Sequence, residues 1–460
     1  MLRTIRIGNG CGFWGDNVDA PITLAERGRL DYLTLEYLAE LTMSILAQQK
    51  QRDPQAGFAS DFLDVLARLT PILKTQPQLK IITNAGGINP SGCADRSRSI
   101  LDGAGVRNRR VATVTGDDLL PHLDRLLGEG HALVNLDTGE PLQSVRDKVV
   151  SANAYLGARP IADALASGAS VVITGRVADA SLTLGPVVHE FAWPWDEWNR
   201  LSAGTVAGHL IECGAQVTGG LWEGWESMPD PAGIGYPIAE VDSDGTLRIS
   251  KPEGTGGGVN LDTVRQQLLY EVADPAAYLT PDVVADFTSV QLGEIDKDCV
   301  EVRSARGQPA TSSYKVSIAY RDGYLCSGTL VVLGSNAKAR RCGEVLLDRV
   351  RRAGFDLEQT HIECLGSGDV VPGLVSPISR QAREETGAAR EIVLRVAARD
   401  SRKEALERFA KEFAPLVTSG PMGVTGYTTG RPAVREVFAY WPALIDKAAI
   451  KPVVSLEGSA

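Results

Sequence analysis

Short apolar runs alternate with amphipathic stretches through the first half of the chain. Strand-length apolar runs that end in polar or glycine-rich sequence lie at residues 3–7, 79–83, 110–114, 132–136 and 170–174. Apolar residues at close to helical spacing lie at 31–49, 58–73 and 160–167. This alternation predicts an α/β fold with a mostly parallel, Rossmann-like sheet. In such sheets ligands bind beyond the carboxyl ends of the strands, where the glycine-rich turns would lie.

The second half has a different pattern, in which strand-like segments follow one another closely. They lie at 247–250, 288–292, 299–303, 315–320 and 324–333, and helical patterns follow at 338–353 and 401–412. The last two strand segments flank Arg321–Gly323 and predict a hairpin there. We predict an N-terminal α/β domain over residues 1–225. A C-terminal α+β domain with an antiparallel element is predicted over 238–460, after a stretch rich in Trp, Pro and Gly at 219–237.

Composition limits the classes of function. The 460 residues, 43% of them hydrophobic, exceed the size of a single core and support two domains. The net charge is −10, and no stretch concentrates Lys and Arg with aromatic residues, which argues against nucleic-acid binding. No apolar run approaches the roughly 20 residues that span a bilayer, and the N-terminus lacks the apolar core of a signal peptide. We therefore expect a soluble, cytoplasmic protein without membrane contact.

Cysteine and histidine patterns bear on metals and disulfides. The seven Cys are scattered without a CxxC pair, which argues against a disulfide framework or a zinc site. The five His form no HxH or HxxxH pair, so a histidine-built metal site is not indicated. No cofactor is predicted with certainty. A divalent metal among the carboxylates of Asp16, Glu36 and Asp179 stays an open alternative.

The densest glycine cluster is GTGGGVN at residues 254–260, which precedes a predicted helix. Glycine lets a backbone approach a ligand closely, and amides at a helix start can hold a phosphate or a carboxylate. We therefore assign substrate contacts to Lys251, Thr255, Gly256 and Gly257. The cluster is neither a Walker A pattern nor GxGxxG. The alternative is a tight structural turn.

Two further turns carry candidate binding residues. GNGCGFWGD follows the first strand without dinucleotide spacing, so it predicts a pocket-lining loop whose polar residues are Asn9 and Asp16. SANAYLGARP precedes a predicted helix and offers Asn153 and Tyr155. Asn153 has the alternative role of a helix cap.

The turns NAGGINP and TGRVAD follow two other predicted strands. In the first, Asn84 is a candidate to orient a carbonyl, and the amides of Gly86 and Gly87 to face an oxyanion. In the second, Arg176 supplies a fixed cation suited to a carboxylate or phosphate. Asp179 is either a base or the partner of Arg176. The structural alternatives are a sharp turn and a buried Arg–Asp pair.

The segment HLIECGAQ is predicted to be helical. Its spacing places His209, Cys213 and Gln216 on one face, with Glu212 beside them. This grouping offers an acid–base pair and a thiol nucleophile. Burial of Cys213 would leave it inert.

Seven blocks spread along the chain resemble those of the AtuA family of acyclic terpene utilisation proteins. They are DYLTLEYLAELTM, ITNAGGINP, ANAYLGARPIADAL, VVITGRVADASLTLGPVVHEFAW, GHLIECGAQVTGG, KPEGTGGGVNLDTVRQQLLYEVADPAAYLTPDV and GPMGVTGYTTGRP, between Asp31 and Pro432. The resemblance implies bacterial breakdown of citronellol and geraniol, in which intermediates are CoA thioesters. It also implies the short form of the family, which acts with a separate small ferredoxin-fold subunit in a homo- or hetero-oligomer. Glu36 departs from the expected Asp.

These features lead to one preferred hypothesis and two alternatives. The preferred one is a cofactor-independent lyase or hydratase of a carboxylate or acyl-CoA, with CoA only as part of the substrate. His209 or Glu212 would be the base, and Arg176 would hold a carboxylate. Asn84, Gly256 and Gly257 would donate to the oxyanion. The alternatives are a Cys213- or water-based hydrolase or transferase, and a non-catalytic scaffold subunit.

Overall fold

A computed structural model describes residues 3–366, 369–370 and 391–457. Counting only these residues, the chain forms two compact units. One consists of residues 1–319 together with 440–460, and the other of residues 320–439. The sequence-based division at 225–238 falls within the first unit.

The strands alternate with helices in the first half and follow one another closely in the second. The strands are β1 (Thr4–Asn9), β2 (Tyr32–Leu35), β3 (Lys80–Thr83), β4 (Val111–Thr115), β5 (Val149–Ala154), β6 (Val171–Thr174), β7 (Ile238–Asp242), β8 (Leu247–Ser250), β9 (Tyr278–Leu279), β10 (Val284–Asp286), β11 (Gln291–Asp296), β12 (Cys299–Arg303), β13 (Arg306–Gln308), β14 (Ser313–Leu333), β15 (Gln359–Leu365), β16 (Glu391–Asp400), β17 (Val424–Gly426), β18 (Val434–Asp446) and β19 (Val453–Glu457). The helices are α1 (Ala20–Arg27), α2 (Glu40–Arg52), α3 (Asp61–Thr75), α4 (Pro90–Gly103), α5 (Leu123–Gly128), α6 (Arg159–Ala166), α7 (Ser181–Phe191), α8 (Trp198–Glu212), α9 (Leu261–Leu269), α10 (Asn336–Arg352), α11 (Lys403–Lys411) and α12 (Pro415–Ser419).

A mixed sheet organises the first unit. Within the described residues it has ten strands in the order β11-β12-β8-β7-β1-β2-β3-β6-β4-β19. The run from β1 to β4 in this order is parallel, and the strands outside it pair antiparallel. The predicted α/β class with a parallel sheet in the N-terminal half is confirmed. Second-half strands β7, β8, β11 and β12 extend the same sheet.

The parallel strands are buried on both faces, which explains their nearly unbroken apolar sequence. Leu33, Ile81 and Ile173 are fully buried in one cluster with residues of α1, α3 and α4. Because side chains alternate along a strand, Ile82 and Val172 face the opposite side, and both are also fully buried. The helical layers fix the strands and hence the positions of the loops at their carboxyl ends.

The second unit is built on an antiparallel sheet, as predicted for the C-terminal half. Its strands lie in the order β15-β16-β14-β17. Leu330 and Val396 of this sheet pack with Leu346 of α10 and Phe409 of α11 in one core cluster. The amphipathic patterns at 338–353 and 401–412 therefore identified the helices that cover the sheet.

The helix predicted over residues 31–49 is wrong in its first part. Residues Tyr32–Leu35 form β2, and the helix begins only at Glu40. The helix-like spacing of apolar residues over 31–49 came from two separate elements. The first is a fully buried strand, and the second is a helix on which Leu41 and Ile45 are exposed. A central parallel strand and a helix are both apolar, so spacing over so short a run did not separate them.

The strand predicted at 132–136 is also wrong. This segment is irregular, and Leu133 has a positive φ of 46°. Its apolar residues Val134 and Leu136 are exposed. The strand in this part of the chain is β5, whose end pairs with β14 through the Tyr155 amide and the Lys315 carbonyl at 2.9 Å.

No hairpin turn forms at Arg321–Gly323 in the described chain, where β14 is a single continuous strand. Gly323 adopts a φ of +82°, and a Cβ there would lie 2.9 Å from the Asp400 carbonyl oxygen. Gly323 lies directly before the paired part of β14, since pairing with β16 begins at Tyr324 opposite Asp400. The left-handed residue therefore does not end the strand. The strand predicted at 288–292 is displaced, since a 3-10 turn spans Phe287–Ser289 and β11 begins at Gln291.

In the part of the chain that the structure describes, no helix combines the length and apolar character needed to cross a membrane.

Candidate functional site

A cavity of about 1050 Å³ lies within the first unit, at the carboxyl edge of the parallel strands. The segments that follow β1, β2 and β6 form one side of it, as expected for an open α/β sheet. The end of α8, the short strand β9 and the start of β14 supply further lining residues, together with loop residues such as Tyr236 and Glu271. Of the residues predicted from sequence, those on its wall are Asp16, Tyr155, Arg176, Asp179, His209, Glu212, Cys213 and Gln216.

Arg176 is the buried cation of the cavity, with only 2% of its surface exposed. Its Nη1 lies 2.8 Å from Oδ1 of Asp179 and 3.8 Å from Oε1 of Glu36. The same nitrogen donates a hydrogen bond to the Leu38 carbonyl at 3.1 Å. Its guanidinium also lies 4.1 Å from the centroid of the Tyr155 ring. Arg176 is therefore engaged by protein groups, including both carboxylates that flank it.

Glu36 was named from the sequence only as one carboxylate of a possible divalent-metal site, and not among the candidate catalytic or binding residues. It follows β2 directly, is 3% exposed and lines the cavity. Its Oε1 accepts hydrogen bonds from the Leu38 amide at 3.0 Å and from Asn84 Nδ2. Its Oε2 has no hydrogen-bond partner among the described residues. Recognising β2 would have identified Glu36, because a carboxylate that ends a buried parallel strand lies at the ligand edge.

Glu36 and Asp179 share the single guanidinium of Arg176, and the pKa of each carboxyl is raised. For Glu36, burial is the main cause, and the charge of Asp179 adds to it against the opposing effect of Arg176. For Asp179, burial is again the main cause of the raised pKa. The charge of Arg176 lowers this pKa, and the charge of Glu40 raises it further. Two like charges this close favour retention of a proton. Asp179 is the more accessible member, with 37% of its side chain exposed.

Glu40 and Lys315 form a second charged group, which lies beside Tyr155. The Tyr155 hydroxyl donates to Glu40 Oε1 at 2.6 Å, and Lys315 Nζ donates to the same oxygen at 3.1 Å. Burial raises the pKa of Glu40, but Tyr155, Lys315 and Arg176 outweigh it and lower that pKa to about 2. Glu40 and Lys315 were not predicted as site residues. Lys315 lies in a strand of the second half, and its sequence carries no motif.

His209 and Glu212 form a hydrogen-bonded pair near the end of α8. His209 Nδ1 lies 3.0 Å from Glu212 Oε1, and His209 packs against Tyr278 and Phe287. Burial lowers the pKa of His209, but the hydrogen bond and charge of Glu212 outweigh it, so the pKa is raised. Burial also raises the pKa of Glu212, against the effect of His209. His209 and Glu212 are therefore two hydrogen-bonded ionisable groups that both line the cavity.

Cys213 follows this pair but is not activated. Burial raises the pKa of its thiol well above the ordinary range, and the charge of Glu212 raises it further. Asp16 is tied locally, since its Oδ2 accepts from the Gly12 amide at 2.8 Å and its Oδ1 from the Asn17 amide at 2.7 Å. Gln216 lines the cavity with an Oε1 that has no partner among the described residues.

Three predicted asparagines are buried behind the cavity wall rather than on it. Asn9 Nδ2 donates to the carbonyls of Ile211 and Glu212 at 2.7 and 2.9 Å, which fixes the end of α8 to β1. Asn84 holds Glu36 and accepts from the Tyr37 amide at 2.8 Å. They support groups that face the cavity.

The third, Asn153, acts through Asp117. Its Nδ2 donates to Asp117 Oδ2 at 2.9 Å, and the same oxygen accepts from the Arg176 amide at 2.8 Å. Burial raises the pKa of Asp117 to about 7, against the effect of these hydrogen bonds. The buried carboxyl thus positions the backbone that carries Arg176.

Two of the predicted glycine turns, NAGGINP and GTGGGVN, do not reach the cavity wall formed by the described residues. A Cβ at Gly86 would meet the Thr174 carbonyl oxygen at 2.5 Å, and Gly87 lies against Leu46. Gly256 packs on the carbonyl of Asp230, and Gly257 has a φ of +77° beside the Thr218 carbonyl. These glycines allow close backbone packing, which was the structural alternative.

Lys251 and Thr255 stabilise the same turn. Lys251 Nζ donates to the Thr255 carbonyl at 2.8 Å and lies 3.3 Å from Asp298 Oδ2. The Thr255 hydroxyl donates to the Pro252 carbonyl at 2.6 Å. Both side chains are occupied by the turn and lie outside the cavity lining that the structure describes.

Large apolar side chains surround the outer part of the cavity. Each is at least half exposed, and each comes from a different segment of the first unit. They are Phe13, Leu136, Leu221, Leu279 and Leu444. We call this set the apolar rim. Inner polar groups and the apolar rim together suit an elongated ligand with a polar reacting end.

No grouping of three or more His, Cys, Asp or Glu side chains in metal-binding geometry occurs among the described residues. The carboxyls of Glu36 and Asp179 are instead directed at Arg176.

Comparison with known families matches residues 5–456 to a family model described as acyclic terpene utilisation family protein AtuA. The match covers nearly the whole chain, including every segment of the cavity wall. Comparisons with curated proteins and with solved structures give no match.

Proposed function

The chain belongs to the AtuA family, linked to acyclic terpene utilisation, and we propose that it is a lyase or hydratase that moves water onto or off an acyl group. The observation that carries this proposal is the pair of carboxyls on Arg176. Asp179 is open to the cavity, while Glu36 behind it shares the same cation. A carboxyl whose pKa is raised takes up and returns a proton at a higher pH than an isolated carboxyl, which suits it to proton transfer.

In the dehydration direction, the Asp179 carboxylate takes the proton from the carbon next to the carbonyl. The electron pair of that C–H bond forms the C=C bond, and the C–O bond to the hydroxyl breaks. The Glu212–His209 pair supplies the proton with which the hydroxyl leaves as water. Hydration is the reverse, so the reaction needs no oxidant or reductant. Arg176 keeps Asp179 oriented and stabilises its ionised form.

The family link and the apolar rim support a branched hydrocarbon chain as the rest of the substrate. A cavity of about 1050 Å³ accommodates such a chain together with its carbonyl end. The rim side chains Leu221 and Leu279 are exposed in the free protein and would be covered by the ligand. Burial of that area would contribute binding free energy.

The burial of Cys213 disfavours the alternative in which its thiol is the nucleophile of a hydrolase or transferase. A cysteine nucleophile reacts as the thiolate, and the raised pKa of Cys213 makes this form scarce at neutral pH. A scaffold role and the small ferredoxin-fold partner implied by the family resemblance stay predictions. Neither would account for the buried oxygens of the cavity-lining Glu36 and Glu212 that have no hydrogen-bond partner among the described residues.

The test is incorporation of solvent oxygen. The purified chain is incubated in ¹⁸O-labelled water with a methyl-branched 2-enoyl thioester, and the hydroxyacyl product is followed by mass spectrometry. We expect one labelled oxygen per product molecule, and loss of water from the hydroxyacyl thioester in the reverse assay. Absence of turnover in both directions by the folded chain, with short and long branched thioesters, would contradict the proposal.

A further inference from the structure

We infer that Gln267 of α9 is a positioning residue of the site, which holds the end of α8 so that the His209–Glu212 pair keeps its geometry. The inference rests on the proposed function, in which this pair supplies the proton with which the hydroxyl leaves. Gln267 lies outside the cavity lining that the structure describes. It acts on the pair through the backbone of α8, one layer behind the wall.

The last turn of α8 carries the pair and contains backbone carbonyls that need donors. The last four carbonyls of a helix have no partner in a following turn, and in α8 the first of them is that of His209. The amide of the C-cap residue Cys213 donates to the Ile211 carbonyl. Because His209 and Ile211 are buried, donors from other segments are needed to satisfy the turn.

Two buried amide side chains supply these donors. Gln267 Nε2 donates to the His209 carbonyl at 3.0 Å. Asn9 Nδ2, from β1, donates to the carbonyls of Ile211 and Glu212 at 2.7 and 2.9 Å. We call Gln267 and Asn9 the capping amides. Because they come from two separate segments, the end of α8 is held from both α9 and β1.

Packing alone does not explain a glutamine at position 267. Gln267 is 2% exposed and lies on the buried face of α9, together with Val264 and Leu268. Burial of an amide costs side-chain entropy and hydration, and its Oε1 has no hydrogen-bond partner in the described chain. The bond to the His209 carbonyl is the contact that offsets these costs. Gln267 is therefore placed to serve the end of α8.

The glycine-rich turn before α9 contributes to the same arrangement. Asn260 Oδ1 accepts from the amides of Asp262 and Thr263 at 2.9 and 3.0 Å, which caps the start of α9. The Val259 amide donates to Asp298 Oδ1 at 3.1 Å. These bonds fix α9 about two turns before Gln267. GTGGGVN thus supports the site by placing a helix rather than by touching a ligand.

The electrostatic surroundings of His209 depend on the same contact between helices. Burial lowers the pKa of His209, and the hydrogen bond and charge of Glu212 raise it by more. The backbone carbonyls of Gln267 and Leu268 raise the pKa further. The other ionisable groups around the pair come from the cavity wall, namely Asp179, Cys213, Glu271 and Tyr278. Release of the end of α8 would lengthen the 3.0 Å contact between His209 Nδ1 and Glu212 Oε1, and the pKa of His209 should then fall.

The experiment follows the titration of His209 by NMR in the full chain with ¹³C-labelled histidine. The chain has five His, and His209→Gln identifies the signal. Gln267→Met keeps the length of the side chain and removes the donor. We expect it to lower the pKa of His209 by about half a pH unit or more. Gln267→Asn carries an amide one carbon too short to reach the carbonyl, so it should shift the pKa in the same direction.

Val264→Ala is the matched control. Val264 is fully buried on the same face of α9, so this variant loses packing and keeps the amide of Gln267. It should lower the thermal unfolding temperature and leave the titration of His209 unchanged. An equal shift of the pKa in Val264→Ala would assign the effect to packing of α9 and would contradict the inference.

Turnover provides a second readout. In the ¹⁸O assay Gln267→Met should lower kcat by about tenfold, because the pair that donates the proton is displaced. KM should stay within about twofold of the parent value, since Gln267 is not part of the described cavity lining. A general loss of structure would instead reduce the amount of active protein in proportion to the unfolded fraction.

An unchanged titration of His209 in both folded Gln267 variants overturns the inference, whatever the rate of turnover. Turnover of Gln267→Met at the parental kcat also overturns it and leaves the proposed reaction intact. A shifted titration in a chain that shows no hydratase activity would uphold the positioning of His209 and reject the reaction.

Discussion

Asp179 Oδ1 lies 2.8 Å from Nη1 of Arg176, and the same nitrogen lies 3.8 Å from the more deeply buried Glu36. One cation thus serves two carboxyls of different accessibility. Such an arrangement keeps a proton on the pair at a pH at which isolated carboxyls have lost theirs. It is the feature from which the proposed proton transfer follows.

Loss of the shared cation should destabilise the fold. Arg176→Ala leaves Glu36 buried beside Asp179 without a compensating charge, and we expect the free energy of unfolding to fall by about 3 kcal/mol. Urea denaturation followed by circular dichroism measures this change. Arg110→Ala is the control, because Arg110 is exposed and its side chain donates to the Ser167 carbonyl at the surface. Equal stability of the two variants would contradict the role given to Arg176.

Stability should depend on pH through Asp117. Its folded-state pKa is about 7, raised from 3.8 by burial. Between these two pH values the folded state keeps a proton that the unfolded chain releases. The stabilisation that this proton contributes is fully present below pH 3.8 and is lost as the pH rises through about 7. Asp117→Asn should remove this loss, and the difference in unfolding free energy should grow by on the order of 1 kcal/mol per pH unit. Parallel curves for the two proteins between pH 4 and pH 8 would refute this.

The thiol of Cys213 should be dispensable. Because burial raises its pKa, Cys213→Ala should keep kcat/KM within about threefold of the parent chain, a change below 1 kcal/mol. Iodoacetamide should modify this cysteine slowly at pH 7, as followed by peptide mass spectrometry. A drop in activity of a hundredfold in a folded Cys213→Ala chain would restore the nucleophile hypothesis.

Asn9 should contribute to the stability of the fold although it lies behind the cavity wall. Asn9→Ala removes the donor to the buried carbonyls of Ile211 and Glu212, which should cost about 2 kcal/mol of stability. Asn9→Asp has nearly the same shape but offers oxygens in place of the amide N–H groups, so it should not rescue the loss. Thermal unfolding of both variants measures this. Rescue by Asn9→Asp would show that packing, not hydrogen bonding, is the contribution of Asn9.

The sequence predicted the fold class because the central strands are buried on both faces and read as apolar runs, as at Val171–Thr174. It missed β2, whose four residues merged with the pattern of α2. For the same reason Glu36 was not assigned as a catalytic or binding residue, since a carboxylate is assigned to the ligand edge only after the strand before it is recognised. Single short apolar runs do not distinguish strand from helix.

The candidate site was predicted in part. Residues that directly follow strands, such as Arg176 and Asp179, lie on the cavity wall because parallel strands share one edge. The glycine-rich turn at Gly256 does not, since glycine serves close backbone packing as readily as ligand contact. Lys315 was not predicted because β14 brings it to the cavity from far along the chain, a relation that spacing does not encode.

The most direct measurement is the rate of ¹⁸O incorporation by Asp179→Asn, compared with the parent chain and with Asp163→Asn on the exposed face of α6. Asparagine keeps the shape of Asp179 but cannot take up a proton. We predict that its rate falls by about a hundredfold or more at unchanged ligand binding, while Asp163→Asn keeps the full rate. A folded Asp179→Asn chain that turns over as fast as the Asp163→Asn control would contradict the proton-transfer role of Asp179.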